Sequence, residues 1–209
     1  MNAQFITLDG IDGAGKSTHL DTICRWFAAQ NLPILQTREP GGTRLGEALR
    51  ELLLNPASRV DVRAETLLMF AARQQHLQEV IKPALAKGIN VVCDRFTDAT
   101  FAYQGGGRGV AQADIAVLEN WVQSDFQPDL TLILDINLQA ALARIHEAGR
   151  SQDRFEQEDV DFFERTRAVY LQRAQIAPQR YRVINSNRPK EEVCQEIEQA
   201  LARLVCGVS

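Results

Sequence analysis

Apolar residues along this chain fall into two alternating patterns. Short runs that are apolar almost throughout occur at Gln4–Asp9 (QFITLD), Pro33–Thr37 (PILQT), Ile89–Asp94 (INVVCD), Asp129–Ile136 (DLTLILDI) and Tyr181–Asn185. Continuous apolar runs of that length are expected of strands buried on both faces. Between them, apolar residues recur at three- and four-residue spacing. Leu20, Ile23 and Phe27 form one such series and Leu45, Leu49, Leu52 and Leu53 another. Further helical patterns cover about 64–87, 111–124, 138–147, 158–175 and 190–205, with Pro83 expected to start a new turn or kink the first of these. The Tyr103–Arg108 segment, with its three glycines, reads as a loop. Strand–helix alternation predicts an α/β fold of three layers, a five-stranded parallel sheet with helices on both faces. No repeat or linker divides residues 1–209, so one domain is expected.

The first strand runs into Gly10-Ile11-Asp12-Gly13-Ala14-Gly15-Lys16-Ser17, and a helical pattern follows from Thr18. This is G-x-x-x-x-G-K-[ST] between a strand and a helix, the context in which the motif acts as a phosphate loop. The glycines let backbone N–H groups turn inward on phosphate oxygens, and the helix N-terminus adds partial positive charge. Lys16 reaches the β- and γ-phosphates, and the Ser17 hydroxyl is placed to ligate Mg²⁺. Residues 10–18 are therefore the expected nucleoside-triphosphate site.

Ligands of open α/β sheets bind beyond the carboxyl ends of the strands. That rule gathers Asp9 to Ser17, Arg38 to Gly42, Asp94-Arg95 and Asp135 at one edge. Arginine forks at such positions suit a second phosphorylated molecule, and with it phosphoryl transfer.

Composition narrows the picture in three ways. A formal net charge of −4 supplies no general attraction to nucleic acid or to an anionic membrane. No apolar stretch approaches the roughly 20 residues of a membrane span, and the first strand begins so early that no signal peptide is expected. Cys24, Cys93, Cys194 and Cys206 are scattered, as expected of reduced thiols in the cytoplasm. His19, His76 and His146 are too dispersed for a zinc site, and solvent-facing helix positions are expected for them.

LDGIDGAGKST, TREPGGT, DRFTDATFAYQGGGRG and PDLTLILDI together resemble the bacterial thymidylate kinases over essentially the whole chain. The resemblance implies transfer of the ATP γ-phosphoryl to dTMP with Mg²⁺, by a homodimer. It implies that Asp12 accepts from the acceptor sugar's 3′-hydroxyl or touches a metal-bound water. Arg95 resembles the residue that grips the acceptor phosphate, with Arg38 and Arg50 near the same ligand. Asp94 would bind Mg²⁺ through water or orient Arg95. Asp135 is expected to support the fold or the metal's water shell.

Arg73 resembles the arginine that meets the thymine carbonyl edge, and Thr100 and Gln104 the polar contacts to the base. Family spacing puts the stacking ring at Met69, while Phe70 is one residue on, so either position is a candidate. Tyr103 would fill the space that a ribose 2′-hydroxyl needs. The polar segment at about 148–157 resembles the lid of nucleoside-monophosphate kinases. Gly13 gives the phosphate loop no basic side chain at a position where some relatives carry one. The lid arginines Arg150 and Arg154 are then the candidates for transition-state charge, and Arg144 for stacking on adenine. The rival classes are a kinase for another small acceptor and a GTP-binding switch, and the chain lacks the N-K-x-D motif of the latter.

Overall fold

The computed structural model describes residues 3–147 and 153–207. Strands β1 (Phe5–Asp9), β2 (Ile34–Arg38), β3 (Asn90–Asp94), β4 (Leu130–Asp135) and β5 (Tyr181–Asn185) form one parallel sheet in the order β2-β3-β1-β4-β5. Register aligns the functional ends: Arg38 lies opposite Asp94, and Leu8 also pairs with Asp94, so β1, β2 and β3 finish level. Both faces of the central strands are covered. Ile6, Leu8 and Val92 enter the large core, whereas Phe5, Val91 and Cys93 point the other way into a smaller one with Leu77, Ile81 and Phe96. That two-sided burial is why these strands read as unbroken apolar runs.

Helices α1 (Lys16–Ala29), α2 (Arg44–Leu54) and α3 (Val62–His76) follow their strands as expected. A π-helical turn, Leu77–Ile81, separates α3 from α4 (Lys82–Ala86). Pro83 stands in the first turn of α4 with no N–H to continue the α-helical ladder, and Lys82 donates to the Leu77 carbonyl five residues back. The remaining helices are α5 (Thr97–Thr100), α6 (Gln112–Gln123), α7 (Leu138–Glu147), α8 (Val160–Ile176) and α9 (Lys190–Cys206).

Two expectations are corrected. Residues 101–107 are not a loop but a π-helical turn running on from α5. Their glycines serve packing: a Cβ on Gly107 would lie 2.3 Å from the Phe162 ring, and one on Gly106 2.8 Å from the Arg165 carbonyl oxygen. Arg165 in turn donates to the carbonyls of both glycines. The run is thus the surface on which α8 rests. Of the histidines, only His146 faces solvent; His19 and His76 are buried.

Candidate active site

The phosphate loop folds as its glycines dictate. Gly10 and Gly13 have φ of +138° and +80°, and a Cβ there would meet the carbonyl oxygens of Leu134 at 2.6 Å and Ala141 at 2.4 Å. Gly10, Ile11 and Ala14 lie beneath the loop, while Asp12, Gly13, Gly15, Lys16, Ser17 and Thr18 line a cleft of about 580 Å³. The Lys16 ammonium donates to the carbonyls of Gly10 and Ile11, each at 3.1 Å, and lies 3.7 Å from Asp12. Burial, and then Arg95, lower the Lys16 pKa below its usual value, against the pull of Asp12.

Arg95 is the joint between this loop and the rest of the cleft. Its backbone sits at φ +65°, a conformation that costs a non-glycine residue about 1–3 kcal/mol and is found at functional sites. The guanidinium donates to Asp12 Oδ1 at 2.6 Å, to the Tyr103 hydroxyl at 2.9 Å and to the Gly10 carbonyl at 3.1 Å. Tyr103 donates onward to Asp12 Oδ2 at 2.8 Å. Burial opposes ionisation of Asp12, but Arg95, Lys16 and the hydrogen bonds override it and hold the carboxyl below the ordinary carboxylate range. A carboxylate inside a phosphate loop is tolerated here because two cations offset its charge and a phenol donates to it.

The other half of the cleft is assembled from distant elements. Arg38 and Glu39 come from the end of β2, Arg50 from α2, Met69 and Arg73 from α3, Asp94 from β3, and Thr100, Tyr103 and Gln104 from the α5 segment. Arg38 is half exposed and forms a two-pronged pair with Glu47, and Arg50 donates to the Pro40 carbonyl at 2.9 Å. Gln104 donates to buried Glu65 at 2.8 Å. Arg144 lines the donor end and donates to the Ser186 carbonyl at 2.9 Å.

Some expected residues lie elsewhere. Phe70 is a core side chain, 2 % exposed, under the Arg73 guanidinium; the cleft wall at this level is Met69 and Phe96. Asp135 is turned away from the cleft and paired with Arg167. Arg154 donates to Glu65 at 2.5 Å and to the Leu53 carbonyl at 2.8 Å, so its guanidinium is held behind the wall formed by Asp153 and Phe155. Arg150 lies outside the described residues, as does half of the expected lid, 148–152. Glu65 carried no signal in the sequence as a site residue, and Glu39 and Phe96 lay within the TREPGGT and DRFTDATFAYQGGGRG stretches without being singled out. Glu65 is itself buried on α3, and only the partly buried Arg108 and Arg154 that converge on it reveal its part.

A buried polar atom without a partner needs an explanation, and in a cleft a bound ligand supplies one. Asp94 Oδ1 and one Nη of Arg73 are such atoms, and both residues line the cleft. Among the described residues no three carboxylate, histidine or cysteine side chains cluster as a metal site. A magnesium ion at a nucleotide takes only one or two protein oxygens beside phosphates and water. Asp94 Oδ1 and the Ser17 hydroxyl fit that donor set. Asp9, behind them, is wholly buried, with Oδ2 unpartnered. Burial, and secondarily the charge of Asp98, raise its pKa to about 7.

A phosphate loop facing fixed guanidinium groups across one cleft, at the carboxyl edge of a parallel sheet, defines a kinase of small phosphorylated acceptors. The family profile described as Thymidylate kinase matches residues 8–197. Curated relatives called thymidylate kinase include that of Neisseria gonorrhoeae, 63 % identical over 96 % of this chain and 97 % of the relative, and that of Methylobacillus flagellatus, 54 % identical over 94 % and 96 %. The crystal structure of thymidylate kinase from Ehrlichia chaffeensis superposes with a TM-score of 0.79 at 33 % identity, covering 96 % of this chain and 99 % of that one. The chain belongs to the thymidylate kinase family, and so to the nucleoside-monophosphate kinases.

Proposed function

We infer that the cleft transfers the γ-phosphoryl of ATP to dTMP, giving dTDP and ADP for dTTP synthesis. The carrying observation is the Arg95–Asp12–Tyr103 joint, which ties the donor loop to the compartment holding Arg73, Thr100 and Gln104. An oxygen of the acceptor 5′-phosphate attacks the γ-phosphorus while the bond from that phosphorus to the bridging β–γ oxygen breaks. Little covalent chemistry falls to the protein, so positioning and charge dominate. Lys16 and the loop N–H groups take the donor phosphates, and Arg95, with Arg38 and Arg50, takes the acceptor phosphate. Asp94 and Ser17 would hold Mg²⁺, which neutralises phosphate charge when bound. Gln104 and Thr100 face the base, Met69 and Phe96 its ring, and Tyr103 the 2′ position. Arg144 borders the adenine end. Arg154 contributes transition-state charge only if the Arg154–Glu65 pair opens, and Arg150 is the other proposed source of that charge.

The direct test is ADP release with dTMP, dUMP, dCMP, dGMP and thymidine as acceptors. The reading requires dTMP to give the highest kcat/KM, and a higher value for any other acceptor overturns it.

Two features bear on assembly and location. Leu67 on α3 and Val117 and Trp121 on α6 are 54 %, 67 % and 81 % exposed on two helices packed against each other. An apolar face of that kind fits the family's homodimer, and sedimentation equilibrium measures it. No helix among the described residues is long and apolar enough to cross a membrane; with scattered free thiols, this supports a cytoplasmic enzyme.

A further inference from the structure

We propose that Glu39, locked in place by His76 and Thr37, is a positioning residue that fixes Arg73 and thereby sets selectivity for keto over amino pyrimidine monophosphates. The proposal rests on the reading of the cleft as the dTMP site.

Arg73 and His76 are three residues apart on α3, so they share one face of that helix. Both point at the end of β2. Glu39 Oε2 accepts from Arg73 Nε at 2.7 Å, and Oε1 from His76 Nδ1 at 3.0 Å. A carboxylate is acceptor only, so Nδ1 carries the proton, and the other ring nitrogen, Nε2, is hydrogen-bonded to the Thr37 hydroxyl at 2.7 Å. All three charged or ionisable groups are buried: Arg73 is 2 % exposed, Glu39 4 % and His76 0 %. Packing leaves this arrangement no slack. A Cβ on Gly42 would stand 2.6 Å from His76 Nε2 and 2.8 Å from Thr37 Oγ1, so the REPGGT turn fits only around that histidine. The guanidinium is flanked by the rings of Phe70 at 4.8 Å and Phe96 at 5.1 Å.

With Nε spent on Glu39 and Nη2 on Thr100 at 3.0 Å, the remaining Nη1 is buried without a partner in a residue that lines the cleft. A buried donor left unpaired is costly, and a carbonyl on the bound base relieves it. An exocyclic amino group at the same place does not, because two donors then face each other. Discrimination of this kind is strong only when the donor cannot swing away. Glu39 prevents the swing, and His76 prevents Glu39 from following. Both oxygens of Glu39 are occupied, so it acts through Arg73.

The experiment measures KM for dTMP and ATP, and the ratio of kcat/KM for dTMP to that for dCMP, in Glu39→Gln, His76→Leu, His76→Asn and Arg73→Ala. Glu39→Gln should raise the dTMP KM about tenfold or more, as expected from loss of a charged hydrogen bond, and narrow the dTMP:dCMP ratio while leaving the ATP KM within about twofold. In the Arg73→Ala background the same change should add nothing. His76→Leu should reproduce part of the effect, and His76→Asn, whose amide keeps an N–H near the Nδ1 position, should restore it. Should Glu39→Gln not fold, the two His76 variants carry the same comparison, since they remove or keep a single donor to Glu39. Additive effects of Glu39→Gln and Arg73→Ala overturn the proposal. So does an unchanged acceptor KM and ratio in Glu39→Gln and His76→Leu when Arg73→Ala alters both. If Arg73→Ala itself alters neither, the assignment of the base end of the cleft falls, and the proposal with it.

Discussion

The two ends of the cleft are built by opposite means. On the proposed reading the donor end, Arg144 apart, is one contiguous stretch, Gly10 to Thr18, whose recognition groups are mostly backbone N–H donors set by glycines at positive φ. The acceptor end takes its side chains from two strand ends, α2, α3 and the α5 segment, and orients them by buried ion pairs. A backbone nest needs no partner to hold its shape, since the helix that follows does so. Side chains with charge to bury need counter-charges, and those lie where the fold places them. The donor end is therefore expected to fail at residues of the loop itself, whereas the acceptor end is expected to be sensitive also at residues that never touch substrate.

The sharpest break in the donor end is Lys16→Ala. It should lower kcat about 10²–10³-fold, the usual loss for one preorganised electrostatic contact, with the far-ultraviolet circular dichroism unchanged. Because Lys16 also ties the Gly10 and Ile11 carbonyls together, the ATP KM should rise as well. Near wild-type turnover would remove the donor assignment.

Arg154→Ala tests whether the lid belongs to the chemistry or to the acceptor wall. If Arg154 leaves Glu65 to meet the transferring phosphoryl, kcat falls about 10²-fold with little change in dTMP KM. That is the outcome expected of the family's lid mechanism. A loss of only a few-fold in kcat, with a raised dTMP KM, would instead make Arg154 the anchor that holds Glu65, and through it Gln104, in place.

A smaller effect is expected at the joint. Tyr103→Phe keeps the ring and so keeps discrimination against ribonucleotides, but it removes the hydroxyl that bridges Arg95 and Asp12. We expect kcat/KM for dTMP to fall about tenfold, in line with one hydrogen bond to a charged group, with the deoxy preference intact. Parallel kinetics with dTMP and its ribonucleotide analogue separate the two parts, and lost selectivity would mean that the hydroxyl, not the bulk, excludes the ribose.

The smallest effect lies beneath the cleft floor. The pKa of Asp9 rises from 3.8 to about 7 on folding, so its contribution to stability is full below pH 3.8 and lost as pH rises through about 7. Asp9→Asn removes that dependence. Its thermal midpoint should exceed that of the wild type progressively from pH 4 to 7, and the gap should level off above pH 7. A gap independent of pH would show that Asp9 is ionised throughout.

The sheet, its two-sided burial and the glycine-built loop after β1 were legible in the chain because each depends on neighbours in sequence. A strand's burial is written in its apolar run, and a phosphate loop in eight consecutive residues. Pro83 likewise marked its helix break, for want of one N–H. Three features were not legible. The glycines at 105–107 looked like a loop because nothing local says that α8 lies 2–3 Å from where the Cβ atoms of 106 and 107 would be. Phe70 and Met69 stood equal as candidates until packing sent one ring into the core beneath Arg73. His76 was expected at a solvent-facing helix position and Glu65 was not singled out, yet each is fully buried beside a partner more than 35 residues away. Hydrophobic period and backbone conformation are local properties, so the sequence by itself determined the elements and the nucleotide loop. Pairing of buried charge is a property of space, and only the tertiary structure decided which arginine is held and by what.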